Sequence, residues 1–156
     1  MSIRLRHLKK EDAQYMLEWM KDADITQYLD GSFENISLDD CEKFILSSAF
    51  RISRQDFAIA DEMDIYQGTV SLKNIDDEDM TAELSIVLRR CAIGSGYAIE
   101  AIRQLKRIAF SGIGLKKIFI NVDRRNMRAI RFYEKIGAER IKDEGDIICL
   151  LIKNDL

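Results

Sequence analysis

Proline is absent from this chain, and histidine occurs once, at His7. The three cysteines, Cys41, Cys91 and Cys149, stand far apart without a C-x-x-C pair. That set assembles neither a disulfide framework nor a zinc site, so reduced thiols and no metal are expected. No apolar run approaches the roughly 20 residues that span a bilayer, and the polar start from Arg4 onward does not read as a signal peptide. A cytoplasmic protein with no membrane partner is therefore expected. Basic and aromatic residues are not interleaved and the net charge is −3, which argues against nucleic acid as a partner.

What is present describes an ordinary globule: 47% of residues are hydrophobic and 33% charged, over 156 residues. That length is enough for one domain, residues 1–156, with a proper core. Charge is divided unevenly. Residues 1–88 hold 9 Lys and Arg against 19 Asp and Glu, whereas residues 89–156 hold 15 against 8. A basic C-terminal half suits a polyanionic ligand, and an acidic N-terminal half suits a cationic amine; solvated faces alone would also give this distribution.

Period-two alternation marks strands at 3–6, 56–60, 65–72, 82–88, 117–122, 139–142 and 146–152. Helical spacing marks 10–21, a second helix from the N-cap Ser37 to Phe50, a third over 93–110 with Ala98, Ile102, Leu105 and Ala109 inward, and a short one from Asn126 to Gly137. The segment 28–35 reads as a loop able to overhang a site. His7 falls on the inward side of the first strand, and Trp19 either packs in the core or lines a cleft. The order is α/β with a mixed sheet.

Between the 82–88 strand and the third helix lies Ile93-Gly94-Ser95-Gly96-Tyr97-Ala98. Amides in a first helical turn lack intrahelical acceptors, and the helix dipole adds partial positive charge, so a phosphate docks there without side-chain help. Glycine lets the ligand's oxygens approach the backbone. The dinucleotide fingerprint would need a third glycine where Ile99 stands, and the nucleoside-triphosphate loop would need Gly-Lys-Ser/Thr. Neither is present.

Some thirty residues later, Asn126-Met127-Arg128-Ala129-Ile130-Arg131-Phe132-Tyr133-Glu134-Lys135-Ile136-Gly137-Ala138 resembles the N-x-x-A-x-x-x-Y-x-x-x-G-F signature of the GNAT N-acetyltransferases. With Ala82-Glu83-Leu84 and the glycine loop, the resemblance spans residues 82–138, and the layout looks most like the branch of ribosomal-protein N-terminal and amino-sugar acetyltransferases. It implies a single GNAT domain with a mixed, splayed central sheet flanked by helices, and acetyl-CoA as co-substrate. The acceptor is a primary amine, on a small molecule or a protein N-terminus. Homodimers occur in such families.

The resemblance also implies site residues. Pantetheine would pair with the backbone of Ile86, Val87 and Leu88, one amide polarising the thioester carbonyl. Diphosphate would rest on the amides of Ile93, Gly94, Ser95, Gly96, Tyr97 and Ala98, with Arg89 or Arg90 adding charge. Tyr133 would return a proton to the departing thiolate, its phenol being close in acidity to an alkyl thiol. Glu83 would take the ammonium proton, directly or through water. Asn126 suits an N-cap and, by the resemblance, would also contact the cofactor, although capping alone would explain it. Two departures from the family pattern, Cys91 three residues before Gly94 and Asn121 where several relatives carry a glutamate, keep open a second reading, an acyl-CoA-binding or sensor module without turnover. Cys91 is expected to be a small buried side chain.

Overall fold

The computed structural model describes residues 2–155. Seven strands form one sheet: β1 (Arg4–His7), β2 (Gln55–Ala60), β3 (Tyr66–Asp76), β4 (Thr81–Leu88), β5 (Lys117–Asp123), β6 (Glu139–Glu144) and β7 (Ile147–Lys153). Their spatial order is β1-β2-β3-β4-β5-β7-β6. All neighbours run antiparallel except β4 and β5, which are parallel. The sheet is therefore mixed, as expected.

Helices cover both faces. On one side α1 (Ala13–Met20), α2 (Ala23–Thr26) and α3 (Leu38–Ser48) bury Met16, Trp19, Cys41 and Ile45 against Ala58 and Tyr66. On the other, α4 (Tyr97–Lys106) and α5 (Met127–Lys135) bury Ala101, Ile102, Leu105, Ile130 and Tyr133 against Leu84, Ile118, Ile120 and Leu150. The short α2 has no counterpart in the sequence pattern, since four residues are too few to show a period. Ser37 caps α3 as expected, accepting from Asp40 N–H, and Asp40 returns the bond to Ser37 N–H.

Two side chains are exposed against expectation. His7 shares the face of Ile3 and Leu5, which reach the core under α4, but it ends β1, where it is exposed and stacks on Phe57 with ring centroids 6.3 Å apart. Cys91 is exposed, since Ala92 takes the buried position in the turn at Arg90–Ala92. Trp19 packs in the core and donates from Nε1 to the Tyr66 hydroxyl at 2.9 Å.

The feature that matters for function is a fork. β4 and β5 pair only at Thr81–Lys117, Ala82–Ile118 and Glu83–Phe119, yet β4 runs on to Leu88 and β5 to Asp123. Beyond Glu83 the two strands part. β5 then pairs only with β7, and β4 only with β3.

Candidate active site

Backbone alternation decides which β4 groups face the gap. Arg89 N–H donates to the Gln67 carbonyl at 2.9 Å, so it points toward β3. In an antiparallel ladder this orientation alternates, so Val87 and Ser85 also turn to β3, while Ile86 and Leu88 present N–H and C=O to the fork. Of the three expected pantetheine contacts, the backbone of Val87 is thus turned away. Its side chain packs on the α1–α3 side, whereas Ile86 and Leu88 pack on the α4 side.

Gly68, which the sequence reading passed over, sets how closely β3 approaches here. A β-carbon on it would lie 2.3 Å from the Val87 carbonyl oxygen and 2.9 Å from a Leu88 methyl. A glycine inside a strand is the signal that marks such a place.

At the end of β4 the chain makes the turn Arg90–Ala92 and enters the glycine loop. Gly94 and Gly96 have φ +83° and +86°, and a β-carbon at either would meet nothing within 4 Å. Both glycines are required by backbone conformation, and the space beside them is open. The loop's amides divide in two sets. Ile93, Ser95 and Tyr97 N–H are spent on the Arg90 carbonyl, the Ala92 carbonyl and Ser95 Oγ. Gly94, Gly96 and Ala98 N–H have no partner among the described residues. Three free amides at the N-terminus of the ten-residue α4 form an anion cradle.

The expected contribution of Arg89 and Arg90 is not what the structure shows. Arg89 makes a bidentate pair with Glu18 at 3.0 Å and lies 4.4 Å over the Tyr15 ring. Arg90 pairs with Asp22 at 2.6 and 2.7 Å and with Asp24 at 2.9 Å. Both guanidiniums are turned to α1 and α2, where the acidic half of the chain supplies carboxylates. They tie the loop to those helices, and their charge is already matched.

Tyr133 and Glu83 lie on opposite faces of the sheet. Tyr133 belongs to the α4-side core, is 7% exposed, and packs edge-on against Phe132. Burial pushes its phenol well above the ordinary range, with no hydrogen bond opposing the shift. No buried side-chain polar atom lacks a partner among the described residues, so this unbonded hydroxyl reaches accessible surface. Glu83 shares a face with Val87, on the α1–α3 side. It accepts from Asn121 Nδ2 at 2.6 Å and faces Lys73 Nζ at 3.1 Å. Asn121 is thus a partner of the carboxylate, and Lys73 is a site neighbour that sequence spacing does not reveal. Asn126 caps α5, its Oδ1 accepting from Ala129 N–H at 3.3 Å. Among the described residues no cluster of His, Cys, Asp and Glu is suited to a metal, and no helix is long and apolar enough to cross a membrane.

A parted pair of parallel strands, an anion cradle where the longer one ends, and a helix carrying a buried tyrosine define an acetyltransferase fold. Residues 2–139 match the family described as acetyltransferase (GNAT) domain, and the chain belongs to that family. It is 27% identical over 139 residues to the spermidine N(1)-acetyltransferase of Escherichia coli K12, covering 87% of this chain and 72% of that protein. It is 26% identical over 141 residues to an uncharacterized N-acetyltransferase, p20, of Bacillus licheniformis, covering 88% and 79%. The spermidine N-acetyltransferase of Vibrio cholerae, solved with CoA and spermine, superimposes with a TM-score of 0.86 at 22% identity over 97% of this chain and 95% of that one. A dodecameric structure of that enzyme matches with a TM-score of 0.76 at 20% identity over 97% and 94%. These relatives correct the expected branch: those with a named substrate are polyamine enzymes, not ribosomal-protein or amino-sugar acetyltransferases.

Proposed function

We propose that residues 1–156 form one GNAT domain that transfers the acetyl group of acetyl-CoA to a primary amine of a polyamine within a ternary complex. The observation that carries this reading is the fork. A strand edge without a partner is a hydrogen-bonding template, and an extended pantetheine arm fits it by adding as a strand. Ile86 and Leu88 hold the arm through backbone groups, and Gly94, Gly96 and Ala98 hold the diphosphate. A β4 amide polarises the thioester carbonyl, a preorganised donor of a kind worth about 3–4 kcal/mol in other enzymes.

The reacting carbon is then reached from two sides. On the α1–α3 face Glu83 removes a proton from the acceptor ammonium, directly or through water. The neutral amine attacks, the C–S bond breaks, and the departing thiolate takes the Tyr133 proton on the opposite face. The acidic N-terminal half attracts a polycation by long-range field. Polyamine enters this reading through the named relatives together with that charge; a protein N-terminus would offer a single ammonium to the same field. Self-association belongs to the same proposal.

The test is thiol release from acetyl-CoA across spermidine, an amino sugar and a peptide N-terminus. Spermidine is expected to be turned over with the highest kcat/KM. Tight CoA binding without acceptor-dependent release would instead identify a binding module.

A further inference from the structure

Asp22 is fixed to the core. It stands three residues after Trp19, a buried residue bonded to Tyr66, and its N–H donates to the Trp19 carbonyl at 3.1 Å. Its side chain also caps α2, accepting from Asp24 N–H at 3.1 Å. Arg90 then makes two bonds to the same carboxylate, Nε to Oδ2 at 2.7 Å and Nη2 to Oδ1 at 2.6 Å, and reaches Asp24 at 2.9 Å. A two-pronged contact fixes direction as well as distance, which a single ammonium contact does not.

Arg90 itself opens the turn that leads into the anion cradle. Its carbonyl accepts from Ile93 N–H at 3.2 Å, and the Ala92 carbonyl accepts from Ser95 N–H at 3.2 Å and from Ser95 Oγ. Ser95 Oγ in turn accepts from Tyr97 N–H at 3.2 Å. These bonds decide which amides are spent, and so which ones, those of Gly94, Gly96 and Ala98, are left for a ligand. No residue from 93 to 96 is buried, so the loop is held by these bonds and by its two ends. One end is α4, packed in the core; the other is Arg90.

We infer that Arg90 is a positioning residue for the diphosphate: clasped by Asp22, it holds the turn, and through the turn the cradle, without touching the ligand. This rests on the cradle being the diphosphate site. A guanidinium that instead added its charge to the ligand directly would give the opposite sign at Asp22. Removing that carboxylate would release Arg90 toward the polyanion and take away a like charge, and both changes strengthen binding. A clasp loses its anchor, and binding weakens.

The experiment is titration of CoA, with two-substrate kinetics and thermal melting. It compares the wild type with Arg90→Met, Arg90→Gln, Arg90→Lys, Asp22→Asn, the double variant of Asp22→Asn with Arg90→Met, and Gly96→Ala. Asparagine still caps α2, so Asp22→Asn removes the ion pair and keeps the helix start. Because the Arg90 side chain is 61% exposed, Arg90→Met and Asp22→Asn are each expected to raise the Kd for CoA by about threefold to fivefold, the upper range for an exposed pair. The double variant is expected to bind no more weakly than Arg90→Met alone. Arg90→Lys, which keeps the charge and loses the two-pronged geometry, is expected to fall between. The loss should appear in the KM for acetyl-CoA and not in that for spermidine. Tighter or unchanged binding in Asp22→Asn, or effects that add in the double variant, would overturn the inference. If Arg90→Met does not fold, Arg90→Gln carries the same comparison. Should Gly96→Ala keep the wild-type Kd, the cradle assignment itself falls. If Gly96→Ala weakens CoA binding and the Arg90 and Asp22 variants do not, this inference alone falls.

Discussion

Tyr133 joins a buried ring to an unbonded hydroxyl, and the two together suit a proton donor. Burial keeps the phenol neutral, so the proton is present. It also raises the phenol above the alkyl thiol whose acidity the sequence leads one to expect it to match, so transfer to a thiolate is uphill in the unliganded site and the hydroxyl's role rests on its position. Phenylalanine fills the same space beside Phe132 without the hydroxyl. Tyr133→Phe is therefore expected to lower kcat by about 10²–10⁴-fold while the Kd for CoA stays within about twofold and the fold is kept. Isothermal titration and steady-state kinetics read the two effects separately, and an unchanged kcat would remove Tyr133 from the chemistry. Residues bonded within their own turn were legible from sequence: Ser37 and Asn126 both cap where spacing placed them. Arg89, Arg90 and Lys73 were not, because Glu18, Asp22 and Glu83 come from elements whose distance along the chain carries no pairing signal. His7 lies on the face alternation gives it, with Ile3 and Leu5, but at the end of β1, where it is exposed; Cys91 stands in a three-residue turn, too short for periodicity to say which side is covered.

Among the elements, the start of α4 is where local conformation and ligand binding are one question. The spacing of apolar residues predicts a single helix over 93–110, whereas α4 begins at Tyr97, and the chain after Lys106 widens into a π-helical stretch, Arg107–Ile113, that ends at Gly114. Hydrophobic period alone does not separate four loop residues from a first helical turn. The positive φ of Gly94 and Gly96 does. Alanine at Gly96 meets no neighbour, so its cost is backbone strain of about 1–2 kcal/mol, stored in the loop that must hold its amides outward. Gly96→Ala is expected to weaken CoA binding about tenfold and leave the KM for the amine nearly unchanged, as measured by titration and two-substrate kinetics. Equal affinity for CoA would show that the cradle is not used. The strands were legible to within a few residues, most clearly β5, whose buried and open positions alternate, and least through burial at β3, which is covered over a continuous run. Where β4 and β5 part was not legible, since pairing ends by geometry and not by a change of residue type. At the far edge, β6 is exposed along its whole length, charged, and interrupted by a register shift between Arg140 and Lys142, features that discourage edge-to-edge pairing.

Across the whole molecule, the charge division of the sequence is partly spent inside the fold. The acidic half meets the basic half where Glu18, Asp22 and Asp24 hold Arg89 and Arg90, so α1 and α2 are joined by ion pairs to the residues that lead into the glycine loop. On the proposed reading, polyanion binding would then depend on backbone amides more than on those two arginines. Among the described residues the topology places the fork at the one parallel pair, with the buried Tyr133 on one face of the sheet and the paired Glu83 carboxylate on the other. The most direct test is amide hydrogen exchange, read residue by residue by NMR, with and without CoA. Protection is expected at Ile86 and Leu88 but not newly at Val87, and at Gly94, Gly96 and Ala98. CoA bound with those five amides exchanging as in the free protein would contradict the account.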